Sequence, residues 1–326
     1  MQPIRRAVID VGTNSIKLLV ADVDGRDVQP VHEESRQTRL GKGFYETRRL
    51  QMEPIAHSAN AVADFARTAR QHDVRSIRVI ATSAARDAVN PDDLISAIEA
   101  ASKLKVEIIS GRQEAAWAFQ GVTTDPELAD QPLLLLDVGG GSTEFILGRG
   151  PKKTFAISVP LGTVRLMENF PHSEPPATAE FTPCQTWVKE FLQREIRPRL
   201  APALAAQGGK IILVGTGGTT SILVRLFKKL DRFDRDKIDR SILDYDKIVA
   251  CRQQLWGMSL AERKEIPGLP KLRADVILMG VLIYELIMAE FGFSQVRVST
   301  RGLRFAAVMS PVPAPARATA TMSASA

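Results

Sequence analysis

The chain reads as an α/β protein of two similar domains facing one cleft, and three observations carry that reading. Short β-type and longer α-type segments alternate along the sequence. One glycine-bearing phrase occurs twice in the same register, as DVGTNSIKL from Asp10 and DVGGGSTEF from Asp137. The 326 residues, 44% of them hydrophobic, suffice for two domains with a core each.

The elements follow in order. Residues 7–23 and 133–148 each give an aliphatic strand, a Gly-x-x-Ser turn and a returning strand. An apolar-periodic helix spans 54–70, and SIRVIAT at 76–82 reads as a strand. Asn90 and Pro91 form a good N-cap and first helical position for the next helix. VEIIS ends a strand at Ser110, and Gly111 opens a helix carrying Glu114 and Trp117. A mixed-charge helix covers 180–200, residues 209–227 give strand, glycine loop and helix, and the charged stretch 227–252 reads as exposed helix and loop. An apolar helix covers 274–292, a last strand 294–300, and Pro, Ala and Ser content predicts a disordered tail over 311–326. The expected division is 1–121 plus 295–310 for one domain and 122–294 for the other.

Composition narrows the class. No apolar run reaches the roughly 18 residues of a membrane span, and the N-terminus has no signal pattern, so a cytoplasmic protein without membrane contact is expected. Cys184 and Cys251 form no redox or ligand motif and read as reduced structural thiols. Lys and Arg number 43 against 37 Asp and Glu, a net charge of +6 that suits a polyanionic partner without identifying one. No nucleic-acid motif appears, and self-association into a homodimer is left open. His32, His57, His72 and His172 are scattered without metal-ligand spacing.

The repeated phrase has a chemical use. A strand ending in Asp, turned through glycines, presents several backbone N–H groups at the turn, and these form an anion cradle. Gly12, Thr13, Asn14 and Ser15 in the first copy, and Gly139, Gly140, Gly141, Ser142 and Thr143 in the second, are the candidate phosphate binders. Asp10 and Asp137 cannot hold phosphate but can hold Mg²⁺ that bridges to it. VGTGGTTS at 214–221 places Gly215, Gly217 and Gly218 before a helix N-terminus, a third candidate phosphate loop. Neither G-x-x-x-x-G-K-[ST] nor a post-strand G-x-G-x-x-G occurs, which removes two common nucleotide folds.

DVGTNSIKLLV, ATSAARDAVN, EIISGRQEA, DVGGGSTEF, VGTGGTTS, RADVILMG and VSTRGLR occur in the order and spacing of the exopolyphosphatase and guanosine-pentaphosphate phosphohydrolase (Ppx/GppA) family. The chain resembles its short two-domain form over about residues 7–308. The resemblance implies two actin-like, ribonuclease-H-like domains around a central cleft, within the sugar kinase, Hsp70 and actin superfamily. It implies a Mg²⁺-dependent hydrolase acting on inorganic polyphosphate, guanosine pentaphosphate or both. It also implies Glu114 as the carboxylate that orients or deprotonates water, Glu144 as a second essential carboxylate near the metal, Asp137 as the Mg²⁺-associated aspartate, and Arg86 as the contact to the terminal phosphoryl group. Gln113, Ala116, Phe305 and Ala306 depart from the family pattern, at positions expected to shape the outer shell and substrate grip. A kinase of the same superfamily, or an ATP-binding assembly protein of actin or Hsp70 type, would use the same hairpins.

Overall fold

Two sheets built to one plan face each other in the computed structural model, which describes residues 2–310; the expected tail at 311–326 lies outside the described residues. The first holds β1 (Ile4–Val11), β2 (Ser15–Asp24), β3 (Asp27–Gln37), β4 (Ile77–Ala81) and β5 (Val106–Ile108), in the order β3-β2-β1-β4-β5. The second holds β6 (Leu133–Val138), β7 (Thr143–Arg149), β8 (Lys152–Val159), β9 (Ile212–Thr216), β10 (Ile242–Asp244) and β11 (Gln295–Val298), in the order β10-β11-β9-β6-β7-β8. Read from the β8 edge, the second sheet repeats the first: an antiparallel three-strand meander, then two parallel strands. β10 is an added antiparallel edge. This is the actin-like, two-domain architecture that the family resemblance implies.

The strand sequences explain why both sheets are buried. In β1 the residues Ala7 and Ile9 enter one apolar cluster while Val8 enters another. In β6, Leu134 and Leu136 face one core while Leu133 and Leu135 face the other. A strand covered on both faces reads as a continuous apolar run rather than an alternation. The middle cluster lies between the two sheets and contains Trp117 and Phe119 from helix Gly111–Val122 and Phe305 from helix Leu303–Met309. Those two helices therefore form the layer that joins the domains. Hydrophobic burial from both sheets fixes the direction in which Glu114 leaves its helix.

Three expectations change in detail. The chain does not re-enter the first domain at Gln295: β11 pairs with β9, and Val296 and Val298 join the second domain's core. The return is made by helix Leu303–Met309. Alternation identifies a strand, but not the sheet that receives it. The stretch expected as exposed helix and loop contains the short strand β10. Asn90 precedes helix Pro91–Ser102 as expected, yet its side chain binds the backbone of Leu50, at 2.8 Å and 3.1 Å, rather than capping the helix.

Where the two middle helices cross, Gly121 lies against the backbone of Gly302, and any Cβ there would run into that carbonyl. Gly121→Ala is expected to cost about 1–3 kcal/mol through forced separation of the helices. Urea unfolding measures it, and unchanged stability would refute this close approach.

Candidate active site

Each sheet delivers an aspartate to the cleft at the end of its central strand. Asp10 ends the apolar run of β1 and Asp137 that of β6, and the turn after each closes with the same bond: Gly12 N–H to the Ser15 carbonyl at 3.0 Å, and Gly139 N–H to the Ser142 carbonyl at 2.9 Å. The turn carbonyls are bound on their outer side. Those of Thr13 and Asn14 accept from Gly41 and from Thr38 and Arg39; those of Gly139 and Gly140 accept from Thr163 and from Val164 and Arg165. In a trans peptide the following N–H points the opposite way. The N–H groups of Asn14, Ser15, Gly140 and Gly141 thus face away from those loops.

Between the hairpins lies a cavity of about 700 Å³. Its lining includes Asp10, Gly12, Thr13, Asn14 and Ser15 from one domain, and Asp137, Gly139, Gly140, Gly141, Ser142 and Glu144 from the other. Gly217 and Gly218 of the third loop also reach it. Gly217 has a φ of +93°, and a Cβ there would lie 2.5 Å from Asp137 Oδ1, so glycine is needed on both counts. Two expected phosphate binders turn elsewhere. Thr143 is fully buried and donates its hydroxyl to the Leu161 carbonyl, and Gly215 lies within β9 against Thr220 and the Tyr284 hydroxyl. Both sit within strands, where alternation turns the residue away from the cleft.

Arg86 and Glu114 come together. The Arg86 guanidinium donates to Glu114 Oε2 at 2.9 Å and to the Ile109 carbonyl at 3.1 Å. Glu144 lies opposite Asp137 in the β6–β7 register, and its Oε1 accepts from Ser142 at 2.9 Å and Ser158 at 2.7 Å. Burial pushes the Glu114 carboxyl up to about 7, with Arg86 opposing. Burial likewise raises Asp137 to about 6, opposed by Lys17 and reinforced by Asp10. Glu144 is raised well above its usual range by burial and then by Glu114 and Asp137. Asp10 is raised by burial, with Lys17 and Arg304 pulling it down. Asp10 Oδ1, an acceptor, and Asn14 Nδ2, a donor, are buried without hydrogen-bond partners among the described residues. The cleft therefore offers an unused site for a cation beside an unused donor for an anion.

Sequence reasoning missed three cations here. Lys17 lies opposite Asp10 in the β1–β2 register, the position that Glu144 occupies opposite Asp137. Aligning the two phrases as far as their returning strands would have found it. Arg304 lines the cavity, donating to the Leu18 carbonyl at 2.8 Å and lying 3.3 Å from Glu33. Arg273 reaches from the second domain to the Ser15 hydroxyl, and burial lowers its guanidinium to about 10. Beside it, Arg39–Asp275 at 2.7 Å and Gln37 to the Leu272 carbonyl at 2.7 Å tie the domains across the cleft mouth.

Comparison with known proteins gives a consistent result. The model of the Ppx/GppA phosphatase family matches residues 19–313. The chain is 34% identical over 310 residues to exopolyphosphatase 2 of Mycobacterium tuberculosis, covering 90% of this chain and 94% of the relative. Among solved structures, an exopolyphosphatase from Cytophaga hutchinsonii superposes with a TM-score of 0.82 at 26% identity, covering 93% of this chain and 96% of that one. The Ppx/GppA enzyme of Aquifex aeolicus gives 0.75 at 28% identity, over 94% and 99%.

The buried acids set a pH dependence. A carboxyl whose folded value is raised contributes stability that is fully present below its unfolded value and is lost as pH rises through the folded one. Glu144→Gln removes that loss while keeping acceptors for Ser142 and Ser158. Without divalent cations, its melting temperature is expected to match the parent near about pH 4 and to exceed it by a few degrees near about pH 8. Thermal unfolding at both values checks this, and an offset that does not change with pH would refute the buried-charge assignment.

Proposed function

Since the chain belongs to the Ppx/GppA phosphatase family, we propose that it removes the terminal phosphate from inorganic polyphosphate, from guanosine pentaphosphate, or from both, with Mg²⁺. One observation carries the reading: Glu114, pushed up to about 7, touches Arg86 at the point where two N–H cradles converge.

The roles follow from the geometry. The N–H groups of the two hairpins hold phosphoryl oxygens, and the Arg86 fork takes those of the terminal group in exchange for Glu114. Glu114, released from the ion pair, accepts a proton from water while the water oxygen bonds to the terminal phosphorus. The bond from that phosphorus to its bridging oxygen breaks, and the oxygen leaves with the shortened chain. Lys17, Arg273 and Arg304 face the chain's remaining charge.

The donor set fits Mg²⁺. Among the described residues no three His, Cys, Asp or Glu side chains are arranged as a metal cage. Mg²⁺ needs none, because it takes one or two carboxylates and completes its shell with water and substrate phosphates. Asp10, with its unpaired Oδ1, and Asp137 would hold it, with Glu144 beside them. When bound, the ion neutralises phosphate oxygens and relieves the repulsion among the buried carboxylates.

Phosphate release measured side by side on long polyphosphate, triphosphate, guanosine pentaphosphate and ATP tests the substrate. Release from ATP alone would refute the reading. Chelation is expected to abolish turnover and Mg²⁺ to restore it. Glu114→Gln is expected to bind substrate normally and lose roughly 10²–10⁴ in kcat, the usual worth of a positioned base. Arg86→Lys is expected to lose about tenfold or more, because an ammonium cannot make the bidentate contact. Wild-type kinetics in both variants would place the chemistry elsewhere.

A further inference from the structure

A second cavity, of about 410 Å³, lies on the other side of the Arg86–Glu114 ion pair. Ser83 and Ser142 line both cavities, Glu114 lines only the larger one and Arg86 only the smaller, so the ion pair is the partition between them. Resting on the hydrolase reading above, we infer that the smaller cavity is the orthophosphate exit, opened when Arg86 leaves Glu114.

Its chemistry suits a small dianion. Arg86, Arg112 and Arg199 line it, and the side chains of Arg112 and Arg199 make no ion pair or hydrogen bond among the described residues. The one carboxylate on its wall, Asp87, is already shared by Arg165 at 3.2 Å and Arg86 at 3.8 Å. Helix Gly111–Val122 begins at the cavity, adding the partial positive charge of its first turn. At Gly111 a Cβ would lie 2.8 Å from Ser158 Cβ and 3.8 Å from Arg86 Nη2, so any side chain would wedge beside the moving guanidinium.

Such an exit would serve a long chain that stays bound. After cleavage the shortened polymer still fills the larger cavity, and the free phosphate sits at its inner end beside Glu114 and Arg86. It cannot pass the chain that occupies the entrance. The smaller cavity lies across the Arg86–Glu114 pair from that end, with Ser83 and Ser142 forming wall in both. A triphosphate behaves differently, because its diphosphate remainder can leave by the entrance and clear the path.

The test narrows the exit at a residue outside the proposed catalytic set. Ala156 is exposed and lines the smaller cavity on β8, so Ala156→Trp fills it. Quenched-flow and phosphate-sensor measurements would follow bond cleavage and free phosphate separately. With long polyphosphate, the first cleavage is expected at the wild-type rate, while free phosphate appears at least about tenfold more slowly. With triphosphate, release is expected within about twofold of wild type. Arg199→Glu, on an exposed helical position, provides an arm that does not depend on fit. It is expected to weaken product inhibition by orthophosphate at least about fivefold, through charge reversal at the site. Equal slowing of both substrates by Ala156→Trp, or wild-type release and product inhibition in both variants, would overturn the exit. A wild-type protein that frees no phosphate from any chain would instead refute the hydrolase reading and the exit with it.

Discussion

Four carboxyl groups, those of Asp10, Glu114, Asp137 and Glu144, are buried at one cleft, and the rest of the site is arranged around that cost. Desolvation is the leading cause of the upward shift in every one of them. Arg86, Lys17 and Arg304 offset part of it. Like charges held together without solvent destabilise a fold, and proteins retain them where a ligand or a reaction uses them. The unpaired Asp10 Oδ1 shows on which side the charge is left open. A polyanion arriving with a divalent cation would satisfy both the acids and the surrounding donors, so binding and stability are linked at this cleft.

The two hairpins share a backbone and differ in charge. Lys17 faces Asp10 across the first, whereas Glu144 faces Asp137 across the second. The first hairpin is thereby close to neutral, and Arg304 and Arg273 reach it from later in the chain. The second is doubly acidic and receives Glu114 from the helix between the sheets. One duplicated scaffold therefore gives a charge-balanced face and an acidic face, and the roles proposed above for phosphate and Mg²⁺ rest on that difference. The asymmetry arises from a single exchange at the eighth position of each phrase.

Much of this was legible in the sequence, for identifiable reasons. The hairpins carry an aliphatic run, a strand-end Asp and obligatory glycines within eight residues, so Asp10, Asp137 and the cradles can be placed from local pattern alone. Arg86 and Glu114 were named through the family resemblance, but their mutual contact spans 28 residues and follows from packing that no local pattern encodes. Thr143 and Gly215 were misplaced because a conspicuous motif includes strand residues that alternation turns inward. β11 was assigned to the wrong domain because a four-residue strand records its own alternation and not its partner. Lys17 was hidden by the habit of ending the motif at its turn.

The departures from the family pattern acquire meanings the sequence could not supply. Phe305 and Ala306, two of those departures, are both buried in the layer between the sheets rather than exposed to the cleft. The Arg235 and Arg301 guanidinium groups lie 5.0 Å and 5.4 Å from the Phe305 ring, within the range of a cation–π attraction. Arg235 also binds Glu33 of the first domain, at 3.0 Å and 2.5 Å, and Glu33 in turn lies beside Arg304. Adjacent residues of one helical turn thus divide the work: Arg304 faces the cavity while Phe305 packs between the domains. A change in the angle between the sheets would displace both at once. This turn thus carries cleft charge on one residue and inter-domain packing on the next two, so Phe305 and Ala306 belong to the layer that holds the sheets together and do not line the cleft.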